Sequence, residues 1–169
     1  GSAREIARLS GAPIHAHRAE LPYLTGTPPV TRATGPFGEL FKRTGLIQRP
    51  FGSVPVDRFI EGRDEARLEI WPDVPMTILP TPGHTPGSLS LLLADGRVMA
   101  GDLLASGILL GGIAFRSHTR QPPFEEDTRQ VLLSLQALVE GGGEHFHLGH
   151  GGPVTRRQVM AHMQRLRRR

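Results

Sequence analysis

The chain contains no cysteine. Disulfides and thiolate metal sites are therefore both excluded, and any bound metal must be held by His, Asp or Glu. The same absence fits a cytoplasmic protein, which is the expected location. Apolar runs of membrane-spanning length are missing too, as is a signal peptide, so no membrane association is expected. Lys42 is the only lysine, and Trp71 the only tryptophan. No internal repeat or low-complexity segment is evident.

What is present suits one soluble domain spanning residues 1–169, long enough for a real core. The formal charge of +4 would suggest a nucleic-acid partner if the charge were spread over the chain. It is not. Six of the 20 basic residues (Arg156, Arg157, Arg165, Arg167, Arg168 and Arg169) fall in the last fourteen positions. Residues 1–155 hold 14 basic against 16 acidic residues, a net of −2. The stretch 156–169 reads as a basic C-terminal helix end, and a solvated tail explains it without nucleic acid.

The stretch Thr81-Pro82-Gly83-His84-Thr85-Pro86-Gly87-Ser88 organises the rest. Met76 to Pro80 ahead of it reads as a strand that delivers His84 into a Gly/Pro-rich turn. Ser88 to Leu93 is a second strand, Ala94-Asp95-Gly96 a hairpin turn, and Arg97 to Ala100 a third strand, ending at Gly101-Asp102. Later, Gly149-His150-Gly151 repeats the device of a histidine between glycines, just after His145-Phe146-His147-Leu148. Imidazoles and a carboxylate at strand ends, with glycines letting the backbone approach closely, are how borderline cations are held by nitrogen and oxygen. Taken singly, each group has a plainer reading: His84 can bond the backbone of its turn, and Asp102 can cap the next segment.

In this order, T-P-G-H-T-P-G-S, hairpin, G-D and G-H-G, the chain resembles the second half of a metallo-β-lactamase-fold hydrolase. The resemblance implies an α/β (α+β) chain forming part of an αβ/βα sandwich. It implies His84, Asp102 and His150 as metal ligands, with Asp102 shared between two metals and counted as catalytic. Zinc is the expected ion, manganese and iron the alternatives. One departure stands out: the family's first metal motif, H-x-H-x-D-H, is absent. His15-Ala16-His17-Arg18 is the nearest imitation and lacks the Asp-His that should follow. By the resemblance the chain starts just after that motif, and its metal site is incomplete.

Along the chain, Ser2 and Glu5 have capping-box spacing, with Ile6 and Leu9 as the buried stripe of a short helix ended by Gly11. Pro13 to His17 reads as a strand with His15 and His17 on one face. Two histidines so spaced can share a metal, but a polar strand end is the simpler reading. Residues 21–53 hold little periodicity beyond a short helix around Leu40 and Phe41 stopped by Gly45. Val56–Glu61 and Ala66–Ile70 alternate as strands, giving five short strands in antiparallel style. Leu103 to Phe115 is apolar and Gly-rich, and Arg116 to Arg120 a polar loop. His118, Arg116 and Arg120 there are candidates for meeting substrate. Helices are expected over Glu125–Val139 and from Thr155 onward.

The parent protein is thus expected to hydrolyse an ester, thioester, lactone or lactam in a small-molecule substrate, this chain alone being weak or inactive. A non-catalytic binding or assembly remnant, and a nucleic-acid-processing member of the fold, are the alternatives. Because Leu89 to Leu93 and Ile108 to Leu110 would lack part of their cover, a homo-oligomer or a complementing N-terminal segment is expected.

Overall fold

The structure of the protein, a computed structural model, describes residues 2–26, 32–61, 75–108 and 114–168, without the side chains of Gln48, Ile108 and Arg116. Helix α1 (Ala3–Ser10) ends at Gly11, whose φ of 71° is left-handed. The expected Ser2–Glu5 capping box is not formed. Ser2 already has helical dihedrals, so its hydroxyl makes no cap bond, and Glu5 pairs with Arg8 one turn on. Nor is the apolar stripe buried, since Ile6 is 60% and Leu9 71% exposed.

Strand β1 (His15–His17) leads through a 3₁₀ turn (Arg18–Glu20) into the one-turn helix α2 (Leu21–Leu24). Helix α3 (Pro36–Arg43) contains Leu40 and Phe41 as expected, and Gly45 follows with φ 67°. Strand β2 (Arg58–Ile60) corrects the expectation of one antiparallel series. It pairs in parallel with β1, Ala16 opposite Phe59, so both belong to a separate two-stranded sheet. The strand expected over Ala66–Ile70, Trp71, and the pair Leu109 and Leu110 lie outside the described residues.

Strands β3 (Met76–Pro80), β4 (Leu89–Leu93) and β5 (Arg97–Gly101) form an antiparallel meander. A hairpin follows, β6 (Ala105–Ile108) with β7 (Ala114–Arg120), Ser106 facing Thr119. The segment Arg116–Arg120, expected as a polar loop, is therefore strand, its backbone pairing with β6 while Ser117, His118 and Arg120 stay exposed. Helix α4 (Thr128–Glu140) begins later than expected. Asp127 caps it by accepting from the amides of Arg129 and Gln130, and Glu125 is buried upstream. Strand β8 (His145–Leu148) then lies parallel to β5, and β9 (Val154–Thr155) closes the sheet order β3-β4-β5-β8-β9. Helix α5 (Arg156–Arg167) starts at Thr155 with a complete capping box to Gln158.

Helices α4 and α5 cover one sheet face. Their buried stripe (Val131, Leu135, Leu138, Val159, Met163) packs on Val98, Ala100, Phe146 and Val154. On β4, Leu93 is buried while Leu89, Leu91 and Leu92 are half-buried. Among the described residues no helix is long and apolar enough to cross a membrane. Because β4 is antiparallel to both β3 and β5, and β8 is parallel to β5, the three strands β3, β5 and β8 run the same way. Their carboxyl ends share one edge.

The core and the cap should separate cleanly in a urea titration. Leu135→Ala, at a fully buried site, is expected to cost about 2–5 kcal/mol. Asp127→Ala, which removes a surface cap, is expected to cost about 1 kcal/mol. Equal losses would show that α4 is not anchored mainly through its apolar stripe.

Candidate metal centre

Three turns leave that shared edge, and each is shaped by glycine. The first follows β3. Its mouth is closed by the Thr81 amide donating to the Ser88 carbonyl at 2.8 Å, and its interior by the Thr85 and Ser88 hydroxyls, 2.7 Å apart. Its outer side is seated on α4: the amides of Glu126 and Asp127 donate to the Gly83 carbonyl, and the Ser134 hydroxyl donates to that of Pro82. Gly83 has φ 139°, and a Cβ there would collide with the Val131 backbone. Only glycine lets the turn settle on the helix.

The second turn follows β5, where Gly101 (φ 57°) swings Asp102 off the strand. The third follows β8. The Gly149 amide donates to the Gly101 carbonyl at 2.9 Å, and a Cβ on Gly149 would collide with the Asp102 carboxylate. Buried Ser106 fixes what comes next: its amide donates to the His150 carbonyl, and its hydroxyl accepts from the Gly152 amide at 2.7 Å.

The result brings together the three residues singled out in the sequence. Asp102 Oδ2 lies 3.8 Å from His84 Nε2 and 3.8 Å from His150 Nε2. That is too long for a hydrogen bond. It suits two donors on one ion, since metal–ligand bonds of roughly 2.0–2.2 Å allow a separation up to about 4 Å. Side-chain exposure is 25% for His84, 30% for Asp102 and 61% for His150, so the group is reachable from solvent. Asp102 Oδ1 and His84 Nδ1 are buried with no hydrogen-bond partner among the described residues. Among those residues no three His, Asp or Glu side chains close around a single point. The arrangement is instead a carboxylate oxygen between two imidazoles. Imidazole nitrogen and carboxylate oxygen are donor types that borderline divalent metals take.

A cleft of about 240 Å³ opens beside Asp102, lined also by His15, His17, Glu20, Thr85 and Ser88. His15 Nδ1 is another buried nitrogen without a partner among the described residues. His118 is placed elsewhere. It is exposed, stands edge-on to Phe115, and lines a groove between β7 and α5 with Gln158 and Arg165. Arg120 is exposed opposite Ala105 at the end of the hairpin, and the Arg116 side chain lies outside the described residues. The structure does not gather His118 and Arg120 with Asp102.

Sequence reasoning passed over Glu20, Tyr23 and Ser106. Glu20 Oε1 accepts from the Gly87 amide at 2.8 Å, and the Tyr23 hydroxyl donates to Glu126 Oε1 at 3.3 Å. No local pattern marks such pairs, which lie 67 and 103 positions apart.

A match to the family model of the metallo-beta-lactamase superfamily runs over residues 1–150, and the chain belongs to that superfamily. It is 29% identical to the probable metallo-hydrolase YflN of Bacillus subtilis (strain 168), over all of this chain and 66% of that protein. Among solved structures, an archaeal superfamily protein, ST1585 from Sulfolobus tokodaii, superposes with a TM-score of 0.65 at 19% identity. The match covers 98% of this chain and 62% of that one. TTHA1623 in a di-iron-bound form gives a TM-score of 0.59 at 25% identity, over 95% and 68% of the two chains. This chain therefore spans about two thirds of the length of these relatives.

Two measurements check the geometry. Gly149→Ala should leave the circular dichroism spectrum unchanged yet displace Asp102, and binding of added zinc, if Asp102 serves as a ligand, should weaken by about tenfold or more. Unchanged binding would mean that the Asp102 carboxylate is not held where the structure places it. Tyr23 is the single tyrosine. Burial, then the charge and hydrogen bond of Glu126, push its hydroxyl up to about 12. The fold favours the protonated phenol, so this contribution is complete below the ordinary value of about 10 and is lost as pH rises from there to about 12. Tyrosinate absorbance of the folded chain should titrate near 12, and a midpoint near 10 would remove the contact with Glu126.

Proposed function

We propose that this chain carries part of the metal site of a hydrolase acting on a carbonyl compound: an ester, thioester, lactone or lactam. His84 and His150 would each hold one metal ion, and Asp102 would contribute to both. The observation that carries this reading is the position of Asp102 Oδ2, 3.8 Å from both imidazole nitrogens at the edge where β3, β5 and β8 end. Superfamily membership and the likeness to a probable metallo-hydrolase support it. When bound, the ions supply Lewis acidity, polarising the scissile carbonyl and lowering the pKa of water at the site.

The chain's own groups set the rest. Asp102 places negative charge at the strand edge and so attracts cations. The hydroxyls of Thr85 and Ser88 bond each other inside the turn and help hold it closed. The cleft beside Asp102 admits a small substrate from the side of His15 and Glu20. Zinc is the expected ion, with iron next because TTHA1623 is described in a di-iron form. One terminal ligand per ion plus the shared carboxylate is a sparse set, so the remaining ligands are expected from an H-x-H-x-D-H segment outside this chain.

The nucleic-acid reading gains no observation. Arg156 is paired with Glu144, Arg165 donates to Thr119, and Arg167 donates to Gln136, so half of the tail arginines are engaged with the chain's own residues.

Calorimetry with zinc, followed by thioester and lactone assays, tests the proposal. The chain alone should bind zinc weakly, lose that binding on Asp102→Asn, and show no turnover above background. Hydrolysis should appear once a segment bearing H-x-H-x-D-H is joined upstream. Turnover by the chain alone at an ordinary enzymatic rate, about 1–10³ s⁻¹, would overturn the division of ligands proposed here. Absence of zinc binding in every form would overturn the metal site.

A further inference from the structure

A ligating histidine is normally oriented by a hydrogen bond from its second ring nitrogen. Among the described residues His84 has no such bond. Its Nε2 faces Asp102, and its Nδ1 is buried without a partner among the described residues. The direction of the ring must then come from the backbone of its turn, so whatever fixes that backbone aims the imidazole.

On one side the turn rests on the segment entering α4, through the bonds from Glu126 and Asp127. On the other side stands Glu20, at the end of the 3₁₀ turn after β1. Its carboxylate accepts from the Gly87 amide at 2.8 Å, and the two residues are packed face to face. A Cβ on Gly87 would lie 2.7 Å from Glu20 Cγ and 2.8 Å from Glu20 N. An ionised acceptor on a backbone amide makes a short, strong bond, and here it is half-buried beside the Asp102 cleft. Three residues on, Tyr23 reaches Glu126, whose own amide donates to the His84 carbonyl at 3.2 Å. Residues 20–23 therefore touch the turn directly at Gly87 and indirectly through Glu126.

We infer that Glu20 is a positioning residue for His84, its carboxylate holding the Gly87 end of the turn so that the imidazole reaches the shared carboxylate. Tyr23 supports the opposite end of the same turn. This assignment rests on His84 being a metal ligand, as proposed above.

The test uses the full chain with Glu20→Ala, Glu20→Gln and, as a control for general stability, Thr155→Ala, which removes the cap of α5 far from the turn. Three readouts are taken: exchange of the Gly87 amide with solvent, the ring resonances of His84, and zinc affinity by calorimetry. Glu20→Ala should speed Gly87 exchange, shift the His84 ring signals and weaken zinc binding by about tenfold. Glu20→Gln keeps an acceptor oxygen and should stay near the parent in all three. Thr155→Ala should lower the melting temperature without moving them. Parent-like behaviour of Glu20→Ala, or equal losses in Thr155→Ala, would overturn the inference. If no form of the chain binds zinc, the metal reading fails. The Gly87 and His84 signals still decide whether Glu20 aims the ring.

Discussion

Strand direction is the constraint on which the site depends. A sheet of order β3-β4-β5-β8-β9 in which β3, β5 and β8 run the same way must release three chain exits along one edge. His84, Asp102 and His150 occupy those exits. Open sheets with helices on a face commonly bind ligands outside their carboxyl ends, because loops there converge without crossing. The parallel step from β5 to β8 is what makes the edge possible. It needs a long crossover, supplied by the β6–β7 hairpin and α4, and both elements return to serve the turns: Ser106 of β6 ties the His150 loop, and the α4 entry seats the His84 turn.

Core packing and site geometry are thus mechanically linked. Val131 is fully buried in the cluster between sheet and helices, and its backbone is what a Cβ on Gly83 would strike. The closeness of the His84 turn to α4 is set by how tightly α4 lies on the sheet. Interiors packed at crystal-like density transmit such constraints with little give. A similar close approach recurs at Gly149, where the absent side chain makes room for the Asp102 carboxylate. The glycines flanking His84, Asp102 and His150 are spacers as much as hinges.

How much of this the sequence discloses depends on how local each feature is. The turn around His84, the hairpin after it, Asp102 beyond Gly101 and His150 between glycines are all readable, because turn chemistry and short-range order specify them. The cap at Thr155 is readable for the same reason, Gln158 standing three residues on. Contacts across long separations leave no such trace. Nothing near Glu20 indicates Gly87, and nothing in the alternation of β2 says that it pairs with β1. The Ser2–Glu5 spacing even misleads, since Arg8 competes for the same carboxylate. Arg116 to Arg120 misleads in another way. Polar composition suggests a loop, but pairing with β6 satisfies the backbone whatever the side chains are.

Polar atoms left without partners also bear on function. A buried donor or acceptor lacking its partner costs about 1–3 kcal/mol, and folded chains hold few of them. Here the buried atoms His84 Nδ1, Asp102 Oδ1 and His15 Nδ1 are without partners among the described residues, and they belong to or neighbour one cleft. The same region is where glycines make room for a carboxylate and where two imidazole nitrogens face one oxygen at a spacing wider than a hydrogen bond. Elsewhere Ser90 is satisfied by Thr81, Ser134 by Pro82 and Ser106 by the His150 loop, while Glu125 Oε2 is also without a partner among the described residues. Three of the unmet atoms cluster around Asp102, where a ligand of the kind proposed would offset their cost.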